Sequence, residues 1–117
     1  MSVNEKSKTY PIVSYSISDY LLIKRLLDDE LISWEDSKIK LLSSRATNHV
    51  SNVRKIVGNF NCIENVTVET PTSYYEKYKL NPNFKEVFQK IKNQFESNPK
   101  FMKRLNNRLE KTNYKFN

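Results

Sequence analysis

The hydrophobic pattern of this chain changes its period twice, and these changes limit the folds that it can adopt. Up to Gly58, apolar residues recur at the spacing of a helix face, and between residues 62 and 80 they alternate with polar residues. From Phe84 onward the helical spacing returns. The order predicted is three helices, a β-hairpin and two further helices, which is an α+β fold that is mainly α.

Three closely spaced helices are predicted before the hairpin, at residues 19–31, 34–42 and 45–57. Ser18 and Ser44 are the expected N-caps of the first and third helices, and residues 33–36 read S-x-x-D, a variant of the capping box. Gly58 is the one glycine of the chain, and it follows the third helix where a left-handed residue commonly ends a helix. The hairpin should span residues 62–80 and turn at residues 71–73.

The two C-terminal helices are predicted at residues 84–96 and 100–111, with Pro99 in the first turn of the second. We divide the chain into an extended or flexible lead over residues 1–17, a domain over residues 18–83 and a basic helical extension over residues 84–117. The first nine residues are polar, and residues 1–20 lack the apolar core of a signal peptide.

Single occurrences of three residue types exclude several kinds of site. One glycine cannot form a Gly-rich phosphate loop, and one cysteine, Cys62, cannot form an intramolecular disulfide or a cysteine-ligated zinc site. The one histidine, His49, either packs partly buried against another helix or donates to a phosphate or a base edge. The densest carboxylates, between residues 28 and 36, lie in helix-surface and capping contexts, so we expect no enzyme and no cofactor.

Two segments carry a family resemblance. Residues 31–42 (LISWEDSKIKLL) resemble the first half of a bacteriophage-type helix-turn-helix DNA-binding domain, with Ser37 where that family commonly has alanine. Residues 44–55 (SRATNHVSNVRK) resemble its recognition helix and the S-R-A-T-V-S phrase of repressors. The resemblance covers residues 19–80 and implies a winged helix-turn-helix, whose third helix enters the major groove beside a hairpin wing.

The net charge of +7 and the pI near 9.5 favour a polyanionic partner. The outer side of the third helix offers groups that can contact bases or phosphates, namely Arg45, Thr47, Asn48, Ser51, Asn52, Arg54 and Lys55. A solvated polar face is the alternative. The wing offers Lys77 and Lys79, which could equally protect an exposed strand edge.

Most of the excess charge lies in the last 34 residues, where nine basic residues face three acidic ones. Lys103, Arg104 and Arg108 are candidates for contact with the DNA backbone. A dimerisation helix with a solvated basic face and a docking surface for an acidic protein are the alternatives.

We therefore predict a sequence-specific protein that binds double-stranded DNA and regulates transcription in a phage or mobile element. The alternative is a small viral protein that inhibits a host protein through the winged scaffold or the basic C-terminal helices. RNA binding through stacking on Tyr74, Tyr75 and Tyr78 is a third option. The protein could also form a homodimer. Its apolar runs have four residues or fewer, so we predict no membrane-spanning segment. We expect no small-molecule substrate and a cytoplasmic location, in the host if the protein is viral.

Overall fold

The computed structural model describes residues 9–116. In this range the fold is α+β and mainly helical, as predicted, with five α-helices and one two-stranded antiparallel hairpin. The elements in chain order are α1 (Ile17–Leu27), α2 (Ser37–Lys40), α3 (Ala46–Val57), β1 (Ile63–Glu69), β2 (Tyr74–Leu80), α4 (Lys85–Glu96) and α5 (Pro99–Lys111). Two single 3-10 turns, Phe60–Cys62 and Pro82–Phe84, precede β1 and α4.

The first helix is shifted toward the N-terminus relative to its prediction. Ser16, not Ser18, is the N-cap, and its hydroxyl accepts a hydrogen bond from the Asp19 amide at 3.2 Å. The Ser18 hydroxyl instead donates to the Leu41 carbonyl at 2.6 Å, which ties α1 to the end of α2. The helix ends earlier than predicted because Asp29 adopts a left-handed conformation with φ of 64°.

The second helix is a single turn, shorter than its prediction. The two hydrogen bonds of the predicted capping box form, since the Ser33 amide donates to Asp36 at 3.2 Å and the Asp36 amide donates to the Ser33 hydroxyl at 3.3 Å. They enclose a turn before the helix, however, and Asp36, the N-cap of α2, makes no capping bond with its side chain. The helix stops before Leu42, whose φ of 57° is left-handed. Ser37, which stands where the resembled family has alanine, is fully buried and donates its hydroxyl to the Ser43 carbonyl.

The third helix begins one residue after its predicted start and ends where predicted. Ser44 does not cap it, because Arg45 occupies the N-cap position. The Ser43 hydroxyl accepts from the Arg45 amide at 3.2 Å. At the other end Gly58 has φ of 81° and its amide donates to the Arg54 carbonyl at 2.8 Å, which confirms the left-handed cap.

The hairpin pairs Ile63 with Leu80 at its base and Glu69 with Tyr74 at its tip. One residue outside the two strands also pairs with the sheet. Ile32, in the connection between α1 and α2, pairs with Tyr78 through two backbone hydrogen bonds of 2.9 Å and 2.7 Å. The hairpin is therefore fixed to the helical part of the fold by backbone pairing.

One hydrophobic core joins the N-terminal helices to the C-terminal ones. Leu22 and Leu26 of α1 and Phe88, Ile91 and Phe95 of α4 are fully buried in the same cluster. The packing therefore continues across residues 83 and 84, where the sequence suggested the start of an extension. None of the helices within residues 9–116 has the length and apolar character needed to span a membrane.

Both ends of the described chain are attached to this core. Tyr10 is buried, and its backbone forms two hydrogen bonds with the side-chain amide of Gln94, at 2.8 Å and 2.9 Å. The part of the predicted lead that precedes residue 9 lies outside the described residues. At the C-terminal end, the buried Arg25 guanidinium donates to the carbonyls of Lys115 at 2.8 Å and Phe116 at 3.0 Å.

Candidate nucleic-acid interface

The two sides of α3 differ in chemistry. Its inner side is buried in the core and consists of Ala46, Val50, Val53 and Ile56. Its outer side is exposed and carries most of the predicted contact residues, namely Arg45, Thr47, Asn48, Ser51, Asn52 and Lys55. No acidic residue occurs in the helix itself, so its exposed side chains carry no charge that repels a phosphate group.

A groove separates this outer side of α3 from the hairpin. Its volume is about 420 Å³, and it is lined by Thr47, Ser51 and Lys55 of the helix and by Phe60 and Tyr78 beyond it. The Thr47 and Tyr78 hydroxyl oxygens lie 3.5 Å apart across the groove. Hydroxyl, ammonium and aromatic groups therefore share one open surface.

Arg54 joins the helix to the hairpin, and its Nε is buried without a hydrogen-bond partner among the described residues. Its guanidinium donates to the Ile63 carbonyl at 2.6 Å and to the Asn65 side chain at 3.3 Å. Its central carbon lies 3.8 Å from the centroid of the Phe60 ring, a cation–π contact. Arg54 is one of the predicted DNA contacts, and in the structure its guanidinium holds the hairpin against α3.

Phe60 is a groove residue that the sequence reasoning missed, whereas Tyr78 was expected only as a residue that could stack on RNA bases. The Phe60 side chain is 70% exposed, which is unusual for phenylalanine beside a polar helix face. Its position two residues after the helix-ending Gly58, where the chain turns back beside α3, was the available signal. Tyr78 was assigned to the wing, but its place in the groove depends on the register of β2.

On the edge of α3 away from the hairpin, the helix contacts a buried carboxylate. Asp19 of α1 is 2% exposed, and its Oδ1 lies 2.7 Å from His49 Nδ1. His49 Nε2 lies 2.8 Å from the Ser43 hydroxyl. Both ring nitrogens are thus used inside the fold, which agrees with helix packing and leaves neither nitrogen for a metal or a phosphate.

Asn52 belongs to this edge as well. Its amide nitrogen lies 3.4 Å and 3.5 Å from the two Asp19 oxygens, which is long for a hydrogen bond. Asn52 and Lys55 line a second cavity of about 310 Å³ together with Asp19 and with Pro11, Val13 and Ser14 of the N-terminal segment. The outer side of α3 is therefore bounded by the hairpin on one edge and by the N-terminal segment on the other.

The wing lysines lie on the far face of the hairpin. Successive side chains of a strand point to opposite faces, and Tyr78 points toward α3. Lys77 and Lys79 therefore point away from the groove. Lys77 Nζ lies 5.8 Å from the Tyr75 ring centroid, and Lys79 Nζ lies 3.9 Å from Glu64, an exposed pair of little energetic weight.

The predicted C-terminal contacts lie on the outer side of α5. Lys103, Arg104 and Arg108 are exposed, and Arg104 also donates to the Tyr15 carbonyl at 2.8 Å. The apolar side of α5 is used by the chain's own core, since Phe101 and Leu105 are 1% and 3% exposed. That side is therefore not available to a second copy of the chain.

Cys62 is buried at the base of the hairpin, immediately before β1. Burial raises the pKa of its thiol to about 11, although the nearby Arg54 charge acts in the opposite direction. At neutral pH the thiol is therefore protonated and a poor nucleophile.

A scan against protein-family models and searches of the curated proteins and of the solved structures found no match to this chain.

Proposed function

We propose that the protein is a winged helix-turn-helix regulator that binds double-stranded DNA through α3 and the adjoining groove. The order of α1, α2, α3 and the hairpin supports this proposal, as does the pairing of Ile32 with Tyr78, which holds the hairpin beside α3 as a wing. A phage or mobile-element transcription regulator is the setting that the resemblance implies.

The observation that carries the proposal is the outer side of α3. Asn48, Ser51 and Lys55 are exposed along its centre, and the groove beside the hairpin continues this surface. An amide can pair with adenine through two hydrogen bonds, and hydroxyl and ammonium groups can reach bases or phosphates. These groups are presented on a rigid helix, as base recognition requires.

One observation favours the alternative function, inhibition of a host protein. Trp34 and Ile39 are 65% and 76% exposed, and they lie in the turn before α2 and within α2, respectively. Large exposed apolar side chains are enriched in protein interfaces, and tryptophan is prominent among interface hot spots. Inhibition of a host protein would use this surface instead of the α3 groove.

Binding of duplex DNA at increasing salt tests the first proposal. We expect the protein to bind random-sequence duplex DNA with an affinity that falls as salt rises, and to select a preferred site from a randomised pool. Lys55→Ala should weaken binding, whereas Lys90→Ala on the exposed side of α4 removes the same charge and should not.

Two outcomes would count against DNA binding through α3. Equal affinities of Lys55→Ala and Lys90→Ala would show that only net charge matters. Absence of duplex binding at low salt, together with capture of a host protein that Trp34→Ala abolishes, would favour the protein inhibitor.

A further inference from the structure

We infer that the outer side of α5 is a second DNA-contacting surface, which binds the phosphate backbone of the duplex beside the segment that α3 contacts. This inference rests on the proposed function, because it assigns to α5 the flanking part of the same ligand. It adds a contact that carries affinity without base recognition.

The charges on α5 form a row suited to a phosphate backbone. Lys100, Arg104 and Arg108 recur at intervals of four residues, and Lys103 and Lys111 flank them. All five are exposed, and the one exposed carboxylate of the helix is Glu110. Eight residues of helix span about 12 Å. A duplex of that length carries about seven phosphates on its two strands, so several phosphates lie within reach of a row of this length.

The N-terminal segment connects this row to α3. Pro11, Val13 and Ser14 share a cavity with Asn52 and Lys55 of α3. One residue further along, the Tyr15 carbonyl accepts from Arg104 of α5 at 2.8 Å. The N-terminal segment therefore contacts both Lys55 and Arg104. We place the flanking duplex across this segment, so that it continues from α3 to α5.

Aromatic packing fixes α5 against α1 and the N-terminal segment, and α1 is joined to α3 by the contact of 2.7 Å between Asp19 Oδ1 and His49 Nδ1. The Tyr15 ring lies 5.2 Å from the Phe95 ring and 6.1 Å from the Phe101 ring, measured between centroids. Tyr20 of α1 contacts the same two rings at 5.8 Å and 5.4 Å. A rigid arrangement of this kind presents both contact surfaces without an ordering cost on binding.

The structure favours duplex DNA over the two other anionic partners of a basic helix. A helix that lies on a membrane inserts its apolar side into the lipid, but the apolar side of α5 is buried in the core. An acidic protein would be expected to use apolar anchors beside the charges. The outer side of α5 instead alternates cations with Asn106 and Asn107, a surface suited to phosphate oxygens.

A salt titration on two duplex lengths tests this inference. The short duplex carries the site selected by α3 within about one helical turn, and the long one extends it by about one turn on each side. The variant is Lys100→Ala/Arg108→Ala, which leaves the Arg104–Tyr15 contact intact. The control is Lys85→Ala/Lys90→Ala, which removes the same charge from the exposed side of α4.

We expect the α5 variant to lower the slope of log affinity against log salt by about 2 on the long duplex, since each lost phosphate contact removes about 0.9. On the short duplex its slope should equal that of the wild type. The selected sequence should not change, because phosphates carry no base identity.

Each other outcome identifies what is wrong. If the wild type binds but the slope stays unchanged on the long duplex, or the α4 control lowers it equally, the α5 inference is overturned and the α3 proposal stands. If the slope falls equally on both lengths, α5 does not contact a flanking segment, and the inference is again overturned. If the wild type binds neither duplex, the proposed function fails and the inference fails with it.

Discussion

The helices α3 and α5 are similar on the side that faces the core and differ on the side that faces solvent. Each buries an apolar stripe in the shared core, Val50 and Val53 from α3 and Phe101 and Leu105 from α5. The exposed side of α3 has two cations among amides and hydroxyls, whereas that of α5 has five cations. Amides and hydroxyls in a bounded groove can distinguish bases, while a dense row of cations attracts any phosphate.

The neighbours of the two helices sharpen this difference. The outer side of α3 is bounded by the hairpin, which Arg54 holds, and by the N-terminal segment. The outer side of α5 makes one contact of this kind, between Arg104 and Tyr15. The outer side of α3 therefore restricts the shape of the ligand that can bind there, whereas the outer side of α5 does not. We therefore assign sequence selection to α3 and sequence-independent affinity to α5.

The largest expected effect concerns the buried side of α5. Phe101→Ala should lower the free energy of unfolding by about 3–5 kcal/mol, because it leaves a cavity among the rings of Tyr15, Tyr20 and Phe95. Urea unfolding measures this value. The exposed Tyr74→Ala at the hairpin tip is the control and should change it by no more than about 0.5 kcal/mol. Similar small effects for both variants would mean that α5 is not part of the core.

The second prediction tests the support beneath α3. Asp19→Ala should cost about 1.5–3 kcal/mol of unfolding free energy, since it removes a buried acceptor from His49 and Asn52. Asp28→Ala, at the exposed end of the same helix, is the matched control. Amide hydrogen exchange should rise in α3 more than in α5. Equal increases in both helices would contradict a local role for Asp19.

Local sequence signals predict most helices and strands of this fold. Where the structure departs from these predictions, tertiary contacts are the reason. The positions of Gly58 and Pro99 and the alternation of the strands predicted where α3 ends, where α5 begins and where the hairpin lies. Ser18 did not cap α1, although it is as good a capping residue as Ser16, because its hydroxyl is used by Leu41. That choice depends on residues far away in the chain, so a local pattern cannot make it.

The candidate site was predicted less completely than the fold. Exposure of Asn48, Ser51 and Lys55 follows from helical periodicity alone. The roles of Arg54 and His49 do not, because the carbonyl of Ile63 and the carboxylate of Asp19 become their partners only after the chain has folded. The same reason explains why Phe60 was missed. Its importance depends on the guanidinium that lies over its ring.

The third prediction separates two asparagines of α3. Asn48→Ala should weaken binding to the preferred site by about 1–3 kcal/mol and relax the base preference there, because its amide is exposed at the centre of the outer side. Asn52→Ala should cost less, because its amide is directed toward Asp19. Affinities on the selected site and on single-base variants of it measure both. A larger loss for Asn52 would place the recognition surface at the edge next to the N-terminal segment.

The smallest expected effect is a pH dependence at the end of α4. Burial opposes the charge of Glu96, but the hydrogen bond from Tyr20 at 2.5 Å and the Lys92 ammonium at 3.0 Å together hold the pKa of Glu96 below its usual value. A carboxyl with a lowered pKa stabilises the fold above its unfolded value, near 4.5, and this contribution is lost as pH falls through the folded pKa. The effect is small because the Glu96 side chain is 32% exposed and therefore screened by solvent.

Glu96→Gln tests this pH dependence because it retains an acceptor for Tyr20 and removes the titrating group. The unfolding free energy of the wild type should fall more steeply than that of the variant between about pH 6 and about pH 3. The two curves should approach each other at the acid end, where the wild-type carboxyl is protonated. Parallel curves over this range would mean that Glu96 has the same pKa in the folded and unfolded chain. The contact between Tyr20 and Glu96 would then contribute nothing that depends on charge to the aromatic cluster beneath α5.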